Sequence, residues 1–328
     1  MTTEPDRAQR MKAVVWTRRG PPEVLELQEV DKPSPKEDEV QVKVHAASIN
    51  SWDWELMAGV AQITFGGRTR PPRKILGCDI SGTVVGLGGK VKHFQPGDEV
   101  FGDISASGFG GFAEYVCVKE KALVPKSASV SHEEAAATPQ ASLLALQGLR
   151  KGRIEDGQKV LINGAGGGVG TFAIQIAKSF GTEVTGVDST EKLDAMRSIG
   201  ADHVIDYTKE DFTRRGQVYD LILDVKSNRS VFDYKRALAP RGICIILGGK
   251  GRKIMGSVFL GSWALGSRKV RLLLLKQNPT DLVYMNELLE AGKVVPVIDR
   301  RFPLSEVAEA FRYIEKGQYK GKIVVTVT

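Results

Sequence analysis

The chain has 328 residues, 42% hydrophobic and 26% charged, with 46 basic against 39 acidic side chains and a formal charge of +7. That length exceeds one small core and suits two domains, in a composition ordinary for a globular protein. Cys78, Cys117 and Cys244 are odd in number and widely spaced, which excludes a disulfide framework and suggests a reducing compartment; no Cys-x-x-Cys pair is present to build a thiolate zinc knuckle. The positive charge suits anionic ligands or plain solubility, and no nucleic-acid motif accompanies it.

The opening "MTTEPDRAQR" is polar and lacks an apolar core, so residues 1–10 read as a disordered extension rather than a secretory leader. With the cysteines this makes a cytoplasmic location the expectation. "MKAVVWT" from Met11 is β-branched and alternating, as a strand should be. "EVQVKVHAASIN" follows the turn at Pro33 and Pro35 and alternates from Val40 to Val44. "ISGTVVGLG", "GDEVFG" and "GFAEYVCV" follow as short strands bounded by glycine or proline, which describes a compact barrel-like β domain.

The pattern then changes. "SVSHEEAAATPQASLLALQGL" has Ser131 and Glu134 at capping-box spacing and continues in helix formers. After it, apolar strands ("KVLIN", "EVTGVD", "HVIDY", "YDLILDV", "GICIILG") alternate with helical segments, which implies a parallel sheet covered on both faces. The tail from Lys293 holds two strands around one helix; periodicity alone does not say which domain takes it.

The stretch "VLINGAGGGVGTFAIQIAKSFGTEVTGVDST" carries the functional signal. A buried strand runs into Gly164, Ala165, Gly166, Gly167, Gly168, Val169 and Gly170, and an amphipathic helix begins at once. Ala165-x-Gly167-x-x-Gly170 fits a dinucleotide fingerprint with alanine in the first glycine slot. Glycine lets backbone approach a pyrophosphate, and the helix N-terminus offers free N–H groups. About eighteen residues on, Asp188, followed by Ser189, ends the second strand where a carboxylate could accept from ribose hydroxyls. A plain structural turn is the rival reading, and the strand-loop-helix context argues against it.

With "SINSWDW", "GCDISGTVVGLG", "QPGDEVFG", "GGFAEYV", "IGADHVIDY" and the closing "GKIVV", the chain resembles the zinc-free medium-chain dehydrogenases/reductases of the quinone oxidoreductase branch. That branch includes the chloroplast envelope quinone oxidoreductases and the reticulon-interacting mitochondrial reductases. The resemblance implies an α/β fold in which a GroES-like β-barrel domain (11–128 and 290–328) surrounds an inserted Rossmann domain with a doubly wound parallel sheet (129–289). It also implies that Asn50, Cys78 and approximately Gln140 stand where relatives hold catalytic zinc, a poor donor set, so no metal is expected. By the same resemblance Lys192 and Tyr207, with Lys320 as a third contact, fall where the branch holds the 2′-phosphate of NADPH. Asp188 argues for NADH instead, because a carboxylate repels that phosphate. NADPH is the expectation, provided that Asp188 can swing into solvent.

Reduction of quinones or α,β-unsaturated carbonyls by hydride transfer is the function expected. A zinc-free alcohol or aldehyde dehydrogenase and a weakly catalytic cofactor-binding adaptor are the rivals. At the vacated ligand position Asn50 could donate its amide to the substrate oxygen, or simply bond its own loop. Asp53 and Asp79 read as structural polar partners. Trp52, Trp54, Phe65 and Gln140 would line an apolar substrate pocket, with barrel core as the alternative for the aromatics. His45, His93, His132 and His203 form no recognisable constellation, and no Gly-x-Ser-x-Gly elbow suggests a hydrolase. The glycine-broken, basic-flanked run from Lys250 to Lys276 is expected to form a cleft wall and a buried strand from Val270 to Leu275. Its alternative is a peripheral membrane contact. A homodimer is a further partner expectation.

Overall fold

The computed structural model describes residues 9–59, 75–247 and 266–327. Phe65, the first eight residues and the run from Lys250 to Leu265 lie outside the described residues. The chain divides into two compact units: Met1–Gln140, Gln277–Glu290 and Ile298–Thr328 form the first, Ala141–Lys276 and Ala291–Val297 the second.

In chain order the first unit contributes β1 (Arg10–Val15), β2 (Glu26–Asp31), β3 (Glu39–Ile49), β4 (Asp79–Leu87), β5 (Glu99–Asp103), β6 (Tyr115–Lys119) and β7 (Val124–Pro125). The second unit follows with β8 (Lys159–Asn163), β9 (Glu183–Asp188), β10 (His203–Asp206), β11 (Tyr219–Asp224), β12 (Leu238–Ile246) and β13 (Lys269–Leu272). Then β14 (Ile298–Pro303) and β15 (Lys322–Thr326) rejoin the first unit.

In the first unit, the main sheet runs β14-β15-β3-β4-β5-β7, with β6 also on β3. The long strand β3 changes partner along its length. Glu39–Lys43 pair with β6 and Ala46–Ile49 with β15, and the register against β4 shifts between Val44 and Ala46. Val40, Val42 and Val44, the alternating set, are all buried in one core with Ile80 and Phe112. Phe311, from the helix Val307–Glu315, meets the edge of Phe112 at 6.1 Å. The tail therefore belongs with the β domain.

The helical stretch after Ser131 forms two helices rather than one. The capping box is present, with Ser131 and Glu134 bonding each other's backbone N–H, but the helix ends at Ala137 and a second begins at Pro139. Proline cannot continue the hydrogen-bond ladder and suits a first helical position. The sequence-based boundary at 128/129 also shifts, since 129–140 group with the first unit. So does the helix Pro279–Glu290. Asn286 accepts the N–H of Ser127 at 3.3 Å, and the Gln277 amide reaches the Asp103 carbonyl and the Ser105 hydroxyl.

In the second unit, six parallel strands run β10-β9-β8-β11-β12-β13. Strand order reverses between β8 and β11, the point at which doubly wound sheets bind ligands beyond the strand ends. The glycine loop follows β8. The expected buried strand from Val270 is shorter than read and is not buried. β13 stops at Leu272, lies at the sheet edge with partly exposed side chains, and Leu274 is 72% exposed. No helix among the described residues is long and apolar enough to cross a membrane.

Candidate functional site

The glycine loop lies in the second unit. Gly164 turns the chain out of β8 with φ +89, and its N–H and that of Ala165 bond the Val187 carbonyl at 2.9 and 3.1 Å. Gly167 caps the helix Gly168–Ser179, whose first backbone bond runs from Thr171 N–H to the Gly167 carbonyl. The N–H groups of Gly168, Val169 and Gly170 precede that bond and have no acceptor in the helix. The glycines differ in what requires them. A β-carbon at Gly170 would lie 2.3 Å from the Gly164 carbonyl oxygen, so packing alone demands glycine there. At Gly167 it would meet only the Gly164 carbonyl oxygen at 3.6 Å, an ordinary contact, so packing does not demand glycine there.

Asp188 does not stand free at the end of β9. Its carboxylate accepts the N–H of Gly166 and that of Ser189, each at 2.9 Å, and pairs with the Lys192 ammonium at 3.6 Å. Both side chains are about 95% buried (5% and 4% exposed). The condition attached to NADPH, that Asp188 swing into solvent, is therefore not met. The acid instead holds the glycine loop and offsets the charge of Lys192. Tyr207 donates its backbone N–H to the Asp188 carbonyl at 3.1 Å and leaves its side chain exposed. The structure thus brings Gly166, Asp188, Ser189, Lys192 and Tyr207 together. Lys320 belongs to the first unit, in the irregular segment before β15.

In the first unit a second constellation is built around Asn50. Asn50 precedes the helix Ser51–Ala58, and Asp53 folds back to accept the N–H groups of Asn50 and Gly77, both at 2.9 Å. The Asn50 amide donates to Cys78 Sγ at 3.2 Å and Asp79 Oδ2 at 2.8 Å, and its oxygen accepts from Lys322 Nζ at 2.6 Å. Gln140 adds its side-chain amide to Cys78 Sγ at 3.5 Å and its backbone N–H to Asp79 at 3.2 Å. The helix break at Pro139 makes this possible, because a first-turn N–H is free to point away from the helix. Burial pushes Asp79 up to about 7 and Asp53 up to about 6, against the lowering influence of Lys322 on both.

These contacts revise several expected roles. Both amide hydrogens of Asn50 are committed inside the cluster, so it is not the substrate-oxygen donor expected of it. Gln140 is buried in the same cluster rather than lining a pocket. Trp54 packs on the barrel core and donates to Glu315 at 3.1 Å, which makes it structural. Trp52 remains a pocket candidate, edge-on to Phe109 at 6.3 Å. Phe109 itself holds φ +63, an uncommon conformation for a bulky residue, and nothing in its sequence setting marked it. Lys322 and Asp103 were also missed. The only signal for Lys322 was a charged residue opening an otherwise apolar strand. Two of the scattered histidines do meet: the His45 and His132 rings lie 4.4 Å apart, with His132 against Ser81 and Glu99.

Residues 36–128 match the alcohol dehydrogenase GroES-like domain, and residues 199–325 match the family described as zinc-binding dehydrogenase. The chain is 37% identical to the 2-methylene-furan-3-one reductase of Solanum lycopersicum, over 96% of this chain and 79% of that one. It is 34% identical to the chloroplastic NADPH-dependent alkenal/one oxidoreductase of Arabidopsis thaliana, over 99% and 82%. The chain belongs to the medium-chain dehydrogenases/reductases. Among solved structures of this superfamily, the quinone oxidoreductase from Coxiella burnetii superposes with a TM-score of 0.88 at 30% identity, covering 97% of this chain and 100% of that one.

The family description raises zinc, and the donor set can be tested against it. Cys78, Asp79 and Asp103 present ligand atoms within 4.8 Å of one another, all buried. Zinc takes a thiolate, whereas burial and the neighbouring carboxylates push the Cys78 thiol well above its ordinary value. Its sulfur faces N–H groups from Asn50 and Gln140, and Asp79 carries the Lys322 ammonium. As arranged, these residues do not fit a zinc ion.

Proposed function

We propose that this medium-chain dehydrogenase/reductase reduces quinones or α,β-unsaturated carbonyls with NADPH and without a metal. The observation that carries this reading is the Asn50 cluster. Cys78 and Asp79 are already engaged by N–H groups and by Lys322, so the cluster offers no Lewis acid to polarise a saturated carbonyl. A conjugated substrate asks for less, because its own carbonyl already activates the β-carbon. Relatives named for 2-methylene-furan-3-one and for alkenal/one reduction support the same substrate class.

Bound NADPH supplies the hydride. The chain's work is then to bind, orient and exclude water. Gly167 offers the pyrophosphate a close backbone, and Gly168, Val169 and Gly170 offer it the N–H groups that have no acceptor in the helix. Lys192, Ser189 and Tyr207 flank the end of β9, where the adenosine ribose would lie in a doubly wound sheet. NADPH is favoured because the Asp188 carboxylate is turned toward Gly166 and Ser189 and its charge is offset by Lys192. Trp52, with Phe109 against it, provides an apolar wall. The α-carbon takes its proton from solvent.

Isotope transfer tests the reading. With NADPH deuterated at the nicotinamide C4 and an enone substrate, deuterium should appear at the β-carbon and solvent hydrogen at the α-carbon. Deuterium at the carbonyl carbon would replace this proposal with an alcohol dehydrogenase.

A further inference from the structure

Lys322 opens β15, where Ile323, Val324 and Val325 are buried apolar side chains, and is itself only 3% exposed. A buried ammonium is costly unless it is paired and hydrogen-bonded. Here it donates to the Ile49 carbonyl at 3.2 Å and to Asn50 Oδ1 at 2.6 Å, and it pairs with Asp79 Oδ2 at 3.6 Å. By holding the Asn50 oxygen, it turns that residue's amide hydrogens onto Cys78 and Asp79.

Beside this arrangement lie the three atoms that could hold a metal. Cys78 Sγ and one carboxylate oxygen each from Asp79 and Asp103 fall within 4.8 Å of one another. One ion with bonds of about 2.0–2.3 Å could join them after small shifts. Asp103 Oδ2 is buried and has no hydrogen-bond partner among the described residues, so one donor is already unengaged. The obstacle to a metal lies in the cation and the N–H groups that Lys322 organises.

We infer that Lys322 is a built-in substitute for a metal ion: its ammonium lies against Asp79, orients Asn50 against the thiol, and keeps divalent cations out of the Cys78, Asp79 and Asp103 group. An ammonium and a divalent ion repel strongly across a few ångströms of protein interior, so the two exclude each other. The inference rests on the metal-free reading proposed above, which the same cluster carries, but cobalt binding tests it without reference to substrate turnover.

Cobalt chloride is the probe, applied to the full chain and to Lys322→Ala, with equilibrium dialysis and the sulfur-to-cobalt charge-transfer absorption as readouts. The wild type should bind no stoichiometric cobalt and show no such band. Lys322→Ala should take up cobalt with the band present, bind it at least about ten-fold more tightly than the wild type, and melt at higher temperature with cobalt than without. The double variant Lys322→Ala/Cys78→Ser should lose the band. Stoichiometric, Cys78-dependent cobalt binding by the wild type would overturn the inference. A folded Lys322→Ala that ignores cobalt would do so too, as would a variant that folds neither with cobalt nor without it.

Discussion

The Asp188 carboxylate accepts the backbone N–H of Gly166 at 2.9 Å, so the acid that ends β9 is a strut of the glycine loop. Its second oxygen takes the Ser189 N–H, and the Lys192 ammonium lies 3.6 Å away. Asp188→Ser should therefore weaken NADPH and NADH together and destabilise the chain by about 3–5 kcal/mol, because a buried charge loses its partner. Thermal melting and fluorescence titration with both cofactors check this. An unchanged melting temperature with tighter NADPH binding would mean that Asp188 acts only as a repelling charge.

Lys192→Ala tests the other half of the pair. Only NADPH offers a 2′-phosphate to the ammonium, and a charge-assisted contact is worth roughly 1.5–3 kcal/mol. The ratio of kcat/KM for NADPH to that for NADH should fall about ten-fold or more. An unchanged ratio would remove the main support for NADPH.

Two loop glycines should separate folding from binding. Gly170→Ala places a methyl group 2.3 Å from the Gly164 carbonyl oxygen and should lower stability sharply. Gly167→Ala meets no atom nearer than 3.6 Å, so it should fold and melt like the wild type while binding cofactor more weakly. Equal melting temperatures for the two variants would contradict the packing described for this loop.

Strand-loop-helix order and the Ser131 capping box were legible in the sequence because both are local patterns. The Asn50 cluster was legible only in part. Asn50 and Cys78 sit in recognisable motifs, but Lys322 lies 272 positions from Asn50 and no local pattern signals it. The pairing of His45 with His132 is equally non-local. The inward bonding of Asp188 is not legible, because sequence gives a residue's place on a strand and not the direction of its carboxylate. The one long helix expected after Ser131 failed at Pro139, a break that the residue itself announces.

Burial holds Asp79 and Asp53 above the ordinary carboxylate range, at about 7 and about 6. The folded chain therefore keeps protons that the unfolded chain releases from about pH 4 upward. The stability tied to those protons is complete below the unfolded value and is lost as pH rises through the folded values, at roughly 1.4 kcal/mol per pH unit for each group. Asp79→Asn should remove one such slope. In urea unfolding, the wild type should lose stability relative to Asp79→Asn between about pH 5 and pH 7. A constant difference across that range would show that Asp79 is ionised throughout.

The most direct measurement of the central claim is NADPH consumption with three substrates in parallel: an enone, a quinone, and the saturated ketone matching the enone. Each is run with and without a strong chelator. Oxidation of NADPH by the enone or the quinone, little or none by the ketone, and no effect of the chelator is the predicted result. Turnover of the saturated ketone that the chelator abolishes would contradict it.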